Sequence, residues 1–194
     1  MRQDTPASAF VMRQIDLWMA GRTDRRPVQL LDLACGTGRH IHAVLRADYA
    51  AETVVTAADI NSASLAQLQD SLTDEAEVRL VTVDLEQDGL VLGEVLGRDG
   101  FDIVVVTNYL HRPLLDQIFR LVSPGGMIVY ETFGQGNEVF GKPSNPAFLL
   151  ADGELERALP ETFCILHSFF GQRQTLAPDR SPAIICQLAA RQNG

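Results

Sequence analysis

The sequence predicts an α/β protein with a doubly wound, mostly parallel β-sheet. Apolar runs of strand length alternate over residues 28–133 with segments whose apolar residues recur at helical spacing. Strands that alternate with helices are joined by right-handed crossovers, which place the strands parallel and the helices on both faces. Because 194 residues suffice for one domain with a substantial core, we expect residues 1–194 to form a single domain.

Helices are predicted from capping residues and from apolar side chains three or four positions apart. Thr5 and Pro6 provide an N-cap and a first position for an N-terminal helix, which Gly21 ends. Asn61 is a good N-cap for another helix, and Pro113 opens a further one. The residues expected on the inner faces are Val11, Ile15 and Trp18; Ile41, Val44 and Leu45; Leu65, Leu68 and Leu72; and Leu115, Ile118, Phe119 and Val122.

Five strands are predicted in the alternating region. They are VQLLDLA (28–34), TVVTAAD (53–59), EVRLVTVD (77–84), FDIVVVTN (101–108) and MIVYETF (127–133). The fourth run is nearly all apolar, as expected of a strand that is covered on both faces. The sequence SPGG before the fifth strand is predicted to end the preceding helix.

The C-terminal third departs from this alternation. After a predicted helix near 152–159, the runs FCILHSFFG (163–171) and AIICQLAA (183–190) have strand character. The connection between them contains Pro178 and Pro182 and is too short for a helical crossover, so we expect an antiparallel hairpin that completes a seven-stranded sheet. The irregular stretch 134–150 is rich in glycine, proline and asparagine, which favours a functional loop.

Composition narrows the class of protein. The net charge is −9 and Lys142 is the only lysine, which argues against a nucleic-acid substrate. No N-terminal apolar core of a signal peptide and no apolar run of membrane-spanning length occur, which predicts a cytoplasmic protein without membrane partners. Cys35, Cys164 and Cys186 lack metal-ligand spacing and are expected to be buried, reduced thiols.

The stretch LLDLACGTGRH (30–40) carries the strongest functional signal. It places a small-residue turn with Gly36 and Gly38 at the end of the first strand, where open parallel sheets bind ligands. A dinucleotide fingerprint fails because its third small residue would be Ile41. A carboxylate at Asp32 suits a ligand with a cationic ammonium group, and the alternative is a tight turn without a ligand.

These residues resemble the first motif of the class I S-adenosylmethionine-dependent methyltransferases, with Ala34 in place of the first glycine of the motif. Four further motifs follow in order: AADI, TVDLE, FDIVVVTNYLH and LVSPGGMIVYETF. The resemblance covers residues 28 to 133 and implies a Rossmann-like methyltransferase fold with a reversed C-terminal hairpin. It also implies S-adenosyl-L-methionine as the cofactor and no metal.

The resemblance implies a set of cofactor-binding residues. Asp59 would accept hydrogen bonds from the ribose hydroxyls, and Asp84 would accept one from the adenine amino group. The full set is Asp32, Ala34, Gly36 and Gly38 at the methionine end, Asp59 and Ile60 at the ribose and adenine, Asp84 and Leu85 at the adenine, and Asn108. The alternative for Asp59 and Asp84 is that both are helix N-caps. Asp102 is interpreted as a solvated or capping residue.

The acceptor side is predicted to follow the fourth strand. Asn108, Tyr109, Leu110 and His111 would face the transferred methyl group, so Asn108, Tyr109 and His111 are the candidate catalytic residues. His111 is the candidate base because histidine exchanges protons near neutral pH, and the alternative is a capping or surface histidine. Asn108 lacks the Pro-Pro-aromatic sequence of enzymes that methylate amines of nucleic acids, which disfavours that subclass.

Other features leave alternatives open. His40 and His42 are two residues apart on a helix and point to different sides, which disfavours a metal site, and His167 is expected to be packed. Residues 131–150 resemble small bacterial methyltransferases of the tellurite- and thiopurine-methylating type. Phe133, Phe140 and Phe148 wall an acceptor pocket there or pack on the core. The N-terminal helix, residues 1–21, with Trp18 and Met12, is a lid over the cofactor or a structural element.

The sequence therefore predicts a methyltransferase that acts on a small-molecule acceptor, with no prediction of the oligomeric state. The alternatives are a non-catalytic module that binds S-adenosylmethionine and a methyltransferase that acts on a nucleic acid or a protein. A nicotinamide-dependent oxidoreductase is disfavoured by Ile41.

Overall fold

Seven strands form one sheet in the order β3-β2-β1-β4-β5-β7-β6. The computed structural model describes residues 6–73, 76–173 and 181–193. The strands are β1 (Val28–Leu33), β2 (Thr53–Asp59), β3 (Val78–Thr82), β4 (Phe101–Thr107), β5 (Val122–Phe133), β6 (Phe163–Gln172) and β7 (Ile184–Gln192). The first five strands pair in parallel, and β7 pairs antiparallel with both β5 and β6. The predicted fold class is confirmed, including the reversed C-terminal hairpin. The prolines of its connection differ: Pro182 is described, and Pro178 lies outside the described residues.

Helices cover both faces of the sheet. They are α1 (Ala9–Ala20), α2 (Arg39–Val44), α3 (Ser62–Ser71), α4 (Leu92–Leu96), α5 (Leu115–Arg120) and α6 (Glu154–Ala158). On one face, α1, α2 and α3 bury apolar residues such as Val11, Ile41 and Leu68 against the sheet, and on the other α4, α5 and α6 do so. The strand order reverses beside β1, and the helices leave the carboxyl ends of the central strands open. That edge is where a ligand site is expected.

Several predicted boundaries differ from the structure. The N-terminal helix begins at Ala9 and is capped by Ser8, so Pro6 is not its first residue, and Thr5 lies outside the described residues. The strand β5 begins at Val122, because Val122 already pairs with Phe101 before the register shifts. The prediction that the sequence SPGG separates helix from strand is therefore wrong. The single turn of α4 was not predicted, since five residues give too short an apolar pattern.

Two polar predictions are also corrected. Asp102 is buried rather than solvated: its carboxylate accepts hydrogen bonds from the Arg26 guanidinium at 2.8 Å and from the Gln29 amide at 2.9 Å. Cys164 is exposed, because β6 is an edge strand, whereas Cys35 and Cys186 are buried free thiols. In the described ranges, no helix has the length and apolar composition needed to cross a membrane.

Candidate functional site

A groove of about 1530 Å³ opens at the carboxyl ends of β1, β2, β3 and β4. Its size exceeds the roughly 300–1,000 Å³ of a typical small-molecule site. The predicted site residues that line it are Ala34, Gly36, Asp59, Ile60, Asp84, Leu85, Asn108 and Tyr109. Of the other predicted residues, Asp32 lies buried in β1, Gly38 is the N-cap of α2, and His111 lies beyond the lining. The structure thus brings all but three of the predicted residues to one surface.

The turn between β1 and α2 has a backbone that most residues adopt only with strain. Gly38 has a φ of +77°, and a Cβ there would lie 2.6 Å from a methyl carbon of Leu68. Gly36 has a φ of +57°, yet nothing lies within 4 Å of where its Cβ would be, so the turn faces open space. Ala34 also has a positive φ of 58°, which costs about 1–3 kcal/mol for a non-glycine residue. This strain at the groove is typical of a binding turn.

Asp32 is a fully buried carboxylate without a hydrogen-bond partner among the residues that the structure describes. It is 0% exposed, and neither carboxylate oxygen accepts a hydrogen bond from any described residue. Burial raises the pKa of Asp32 to about 7, an effect that the Arg39 charge opposes and the Asp59 charge reinforces. An unpaired buried carboxylate is costly, and a ligand that donates hydrogen bonds to it removes that cost.

His40 stands between Asp32 and the N-terminal segment. Its Nε2 atom accepts a hydrogen bond from the Ser8 amide at 3.2 Å, so the ring is neutral at that nitrogen. Its Nδ1 atom lies 3.8 Å from Asp32 Oδ2, too far for a hydrogen bond. His42 points elsewhere, toward the Ser71 hydroxyl at 3.3 Å. The two histidines therefore face different neighbours, as the sequence predicts.

Asp59 holds the glycine turn in place. One carboxylate oxygen accepts the Gly36 amide at 2.7 Å, and the other accepts the Asn61 amide at 2.8 Å. The cap of α3 is the Asn61 side chain, which accepts from the amides of Ala63 and Ser64, so the interpretation of Asp59 as a helix cap is wrong. A carboxylate has about four acceptor sites, and two remain for a ligand such as a diol.

Asp84 and Tyr109 lie at the β3 side of the groove. Asp84 is exposed and accepts the Glu86 amide at 2.9 Å in a turn rather than a helix, so it is not a helix cap. The Tyr109 hydroxyl is buried without a hydrogen-bond partner among the described residues. Burial, with the charges of Glu86 and Asp84, raises the pKa of Tyr109, so its phenol stays protonated and can only donate or accept hydrogen bonds.

Asn108 and His111 follow β4 and are held by the backbone. Asn108 is exposed with a φ of +55°. Its backbone amide donates to the Glu131 backbone carbonyl at 2.9 Å. The Tyr130 hydroxyl donates to the Tyr109 backbone carbonyl at 2.8 Å, which holds the backbone just after β4 against β5. His111 is half-buried and precedes the 3₁₀ turn Arg112–Leu114 without capping it through its side chain.

Some groove residues were not predicted as site residues. Arg39 and His42 line it from α2 and Arg46 from the turn that follows, and their spacing of three and four residues indicated a shared face. Pro6 and Ala7 also line it, because the segment before α1 crosses to α2. No local sequence pattern could have indicated that long-range contact.

The segment 134–150 is anchored to its surroundings. The buried Asn137 side chain donates to the Pro143 carbonyl and accepts from the Ile184 amide. The Arg112 guanidinium donates to the Ala147 and Leu149 carbonyls. Of its aromatic residues, Phe140 and Phe148 are 38% and 46% exposed and do not line the groove. His167 packs against Phe10, with ring centroids 4.8 Å apart, as predicted.

The chain belongs to the methyltransferase domain family. A family model described as a methyltransferase domain matches residues 31–128, just over half of the chain. The cofactor of this family, and of this protein, is S-adenosylmethionine. The match spans the glycine turn and the three strands that follow it in the chain.

Solved structures with the same fold include TehB from Haemophilus influenzae, with a TM-score of 0.71 and 18% identity over 96% of this chain. This chain spans 64% of the TehB chain. The plantazolicin methyltransferase BpumL, solved with S-adenosylhomocysteine, has a TM-score of 0.60 and 14% identity, and the match covers 87% of this chain and 77% of BpumL. The [4+2]-cyclase SpnF has a TM-score of 0.63 and 17% identity, and the match covers 99% of this chain and 85% of SpnF. No curated protein sequence matches the chain.

The residues of the groove fit this cofactor. The orphaned Asp32 carboxylate suits an ammonium group, and the open space at Gly36 admits a ligand against the backbone. Asp59 keeps acceptor capacity for two hydroxyls, while the exposed Ile60 offers an apolar face for a ring.

Proposed function

We propose that this protein transfers a methyl group from S-adenosylmethionine to a small-molecule acceptor. The observation that carries the proposal is the buried, unpartnered Asp32 carboxylate beneath a glycine turn in a chain of the methyltransferase domain family. A structural carboxylate of that kind would be paired within the protein, as Asp102 is with Arg26.

Different residues in and next to the groove would bind different parts of the cofactor. When bound, the cofactor supplies an electrophilic methyl group carried on a sulfonium sulfur. Asp32 would hold the ammonium group of the methionine part, and Asp59 would hold the ribose hydroxyls. Ile60, Leu85 and the Tyr109 hydroxyl would contact the adenine, with Asp84 as acceptor for its amino group.

The acceptor would approach from the side of β4. Asn108 and His111 are the candidates for positioning it, and we assign to His111 the removal of a proton where the acceptor carries one. Pro6 and Ala7 border the groove, so the segment before α1 is a better candidate for a lid than α1 itself. The helix α1 is anchored in the core by Val11 and Ile15, which are 0% and 1% exposed.

A small acceptor is favoured over a nucleic acid by the charge of −9. The TehB chain is longer than this one, so its activity is not carried over. The fold by itself does not imply methyl transfer, since SpnF is a cyclase with the same fold. The competing function is therefore a module that binds the cofactor without turnover.

Labelled methyl transfer tests the proposal. The full chain is incubated with methyl-labelled S-adenosylmethionine and a fractionated extract of small metabolites, and the label is followed by chromatography. We expect label in a small molecule and formation of S-adenosylhomocysteine in equal amount. Tight binding of S-adenosylhomocysteine without label in any small molecule, nucleic acid or protein would indicate a non-catalytic module.

A further inference from the structure

Three polar side chains lie side by side near the carboxyl ends of β4 and β5, next to the groove. Thr107 on β4 pairs in register with Glu131 on β5, which pairs with Gln187 on β7. Two positions earlier along β4 and β5, on the same face, the neighbours are apolar and fully buried. These neighbours are Val105, Val129 and their partner on β7, Ala189. Along this face the side chains therefore change from apolar to polar over two residues, and Glu131 is the central residue of the polar row.

Glu131 is a buried carboxylate with no cation beside it in the described part of the chain. It is 3% exposed, and its Oε2 atom accepts a hydrogen bond from the Gln187 side-chain amide at 2.6 Å. Within 4 Å of this carboxylate, the described part of the chain places no lysine, arginine or histidine nitrogen. A carboxylate removed from water is destabilising unless it is paired and hydrogen-bonded. The side-chain donor that Glu131 has among the described residues is a neutral amide, so its charge is not balanced by a cation there.

The position of Glu131 points to the acceptor rather than the cofactor. Thr107, its neighbour on β4, lines the groove together with Pro6 and Ala7, and the Asn108 amide donates to the Glu131 carbonyl. The residues proposed to hold the cofactor lie on the β1, β2 and β3 side: Asp59 and Asp84 line the groove, and Asp32 is buried in β1 next to it. Glu131 thus lies one strand beyond the groove wall, on the side left for the acceptor.

We propose that Glu131 binds a positively charged nitrogen group of the methyl acceptor. This inference rests on the proposed function. Charge-assisted hydrogen bonds between a cationic N–H group and a carboxylate are stronger than neutral ones, and they would complete the pairing that Gln187 begins. The protein's net charge of −9 favours the approach of cations over anions. The arginines that line the groove, Arg39 and Arg46, lie in and just after α2, the helix that follows β1.

The charge of the small molecules that accept the label tests this assignment. Small metabolites are separated by ion exchange into cationic, neutral and anionic pools, and each pool is incubated with the full chain and methyl-labelled S-adenosylmethionine. We expect the label in the cationic pool. With Glu131→Gln, labelling of that pool at subsaturating acceptor should fall about 10- to 150-fold, the loss of a charged hydrogen bond of roughly 1.5–3 kcal/mol at 1.4 kcal/mol per decade.

Two further measurements separate acceptor recognition from structure. Calorimetry with S-adenosylhomocysteine should give the same affinity for Glu131→Gln and the wild type, which shows that the fold and the cofactor groove are intact. Glu161→Gln, which changes an exposed carboxylate just before β6 and outside the segment 134–150, should label the cationic pool as the wild type does. Wild-type label in the neutral or anionic pool, or undiminished labelling by Glu131→Gln, would overturn the inference. If the wild type binds S-adenosylhomocysteine but labels no pool, the proposed function fails, and this assignment with it.

Discussion

At the residue scale, the Asp32 carboxylate that is proposed to bind the cofactor lowers the stability of the cofactor-free protein. Its pKa of about 7 lies above the ordinary value of 3.8 because burial disfavours the charged form. In the cofactor-free protein the folded state therefore holds this proton more tightly than the unfolded state does. Stability is consequently unaffected by Asp32 below about pH 4 and falls as the pH rises from 4 to 7.

We expect Asp32→Asn to stabilise the cofactor-free protein at pH 8 by about 2–4 kcal/mol, since each pKa unit corresponds to about 1.4 kcal/mol. The gain should vanish near pH 4, and denaturant unfolding across this pH range measures it. The affinity for S-adenosylhomocysteine should fall about 10- to 150-fold, because a charged hydrogen bond is lost.

Asp102→Asn provides the matched control at a second buried carboxylate. Asp102 is buried and paired with Arg26, so its replacement removes a charged hydrogen bond and leaves Arg26 with only its pair to Asp24. It should destabilise the protein without changing cofactor affinity. If Asp32→Asn instead destabilises the protein at pH 8, the Asp32 carboxylate is paired within the cofactor-free protein, and the prediction is wrong.

At the element scale, Arg112 connects the start of α5 to the segment 134–150. Its guanidinium donates to both Glu154 carboxylate oxygens and to the carbonyls of Ala147 and Leu149. We expect Arg112→Ala to destabilise the protein by about 1–2 kcal/mol, less than a buried charged bond because the Arg112 side chain is 38% exposed to screening solvent. Hydrogen exchange should rise in 134–150 before it rises in β5.

The pH dependence of that effect follows from Glu154. The hydrogen bond from Arg112 lowers the pKa of Glu154 below its ordinary value of 4.5. The contribution of the pair is therefore fully present above about pH 4.5 and is lost as the pH falls through the lower folded-state pKa. Arg120→Ala removes an exposed pair with Asp116 and should change neither stability nor exchange measurably. Equal effects of Arg112→Ala and Arg120→Ala would contradict a specific role of Arg112 in holding the segment 134–150.

At the scale of the whole molecule, the groove couples ligand binding to global stability. S-adenosylhomocysteine at about 100 times its dissociation constant should stabilise the folded state by about 2.7 kcal/mol. For a domain of this size, each kcal/mol raises Tm by about 2–4 °C, so we expect a rise of about 5–11 °C in a thermal scan. NAD at the same concentration should leave Tm unchanged. A shift with NAD alone would contradict the assignment of the groove to S-adenosylmethionine.

The sequence predicted what depends on local pattern and missed what depends on distant contacts. The alternation of apolar runs predicted the sheet and its reversed hairpin, and the motif order placed Asp59 and Asp84 at one groove. The burial of Asp102 could not be predicted, because its partner Arg26 is 76 residues away in the chain. Glu131 was equally hidden, since a single glutamate at a strand end carries no pattern until its neighbours on β4 and β7 are known.

The hydrogen bonds of Arg112 also bear on how this fold could be re-engineered. Residues 134–150 are bounded by an isolated β-bridge between Gly134 and Leu150, so their ends lie side by side. A segment with adjacent ends is a natural unit to exchange between relatives. Such a graft would have to carry a matching Arg112 and Glu154 with it, because these residues outside the segment hold its second half in place.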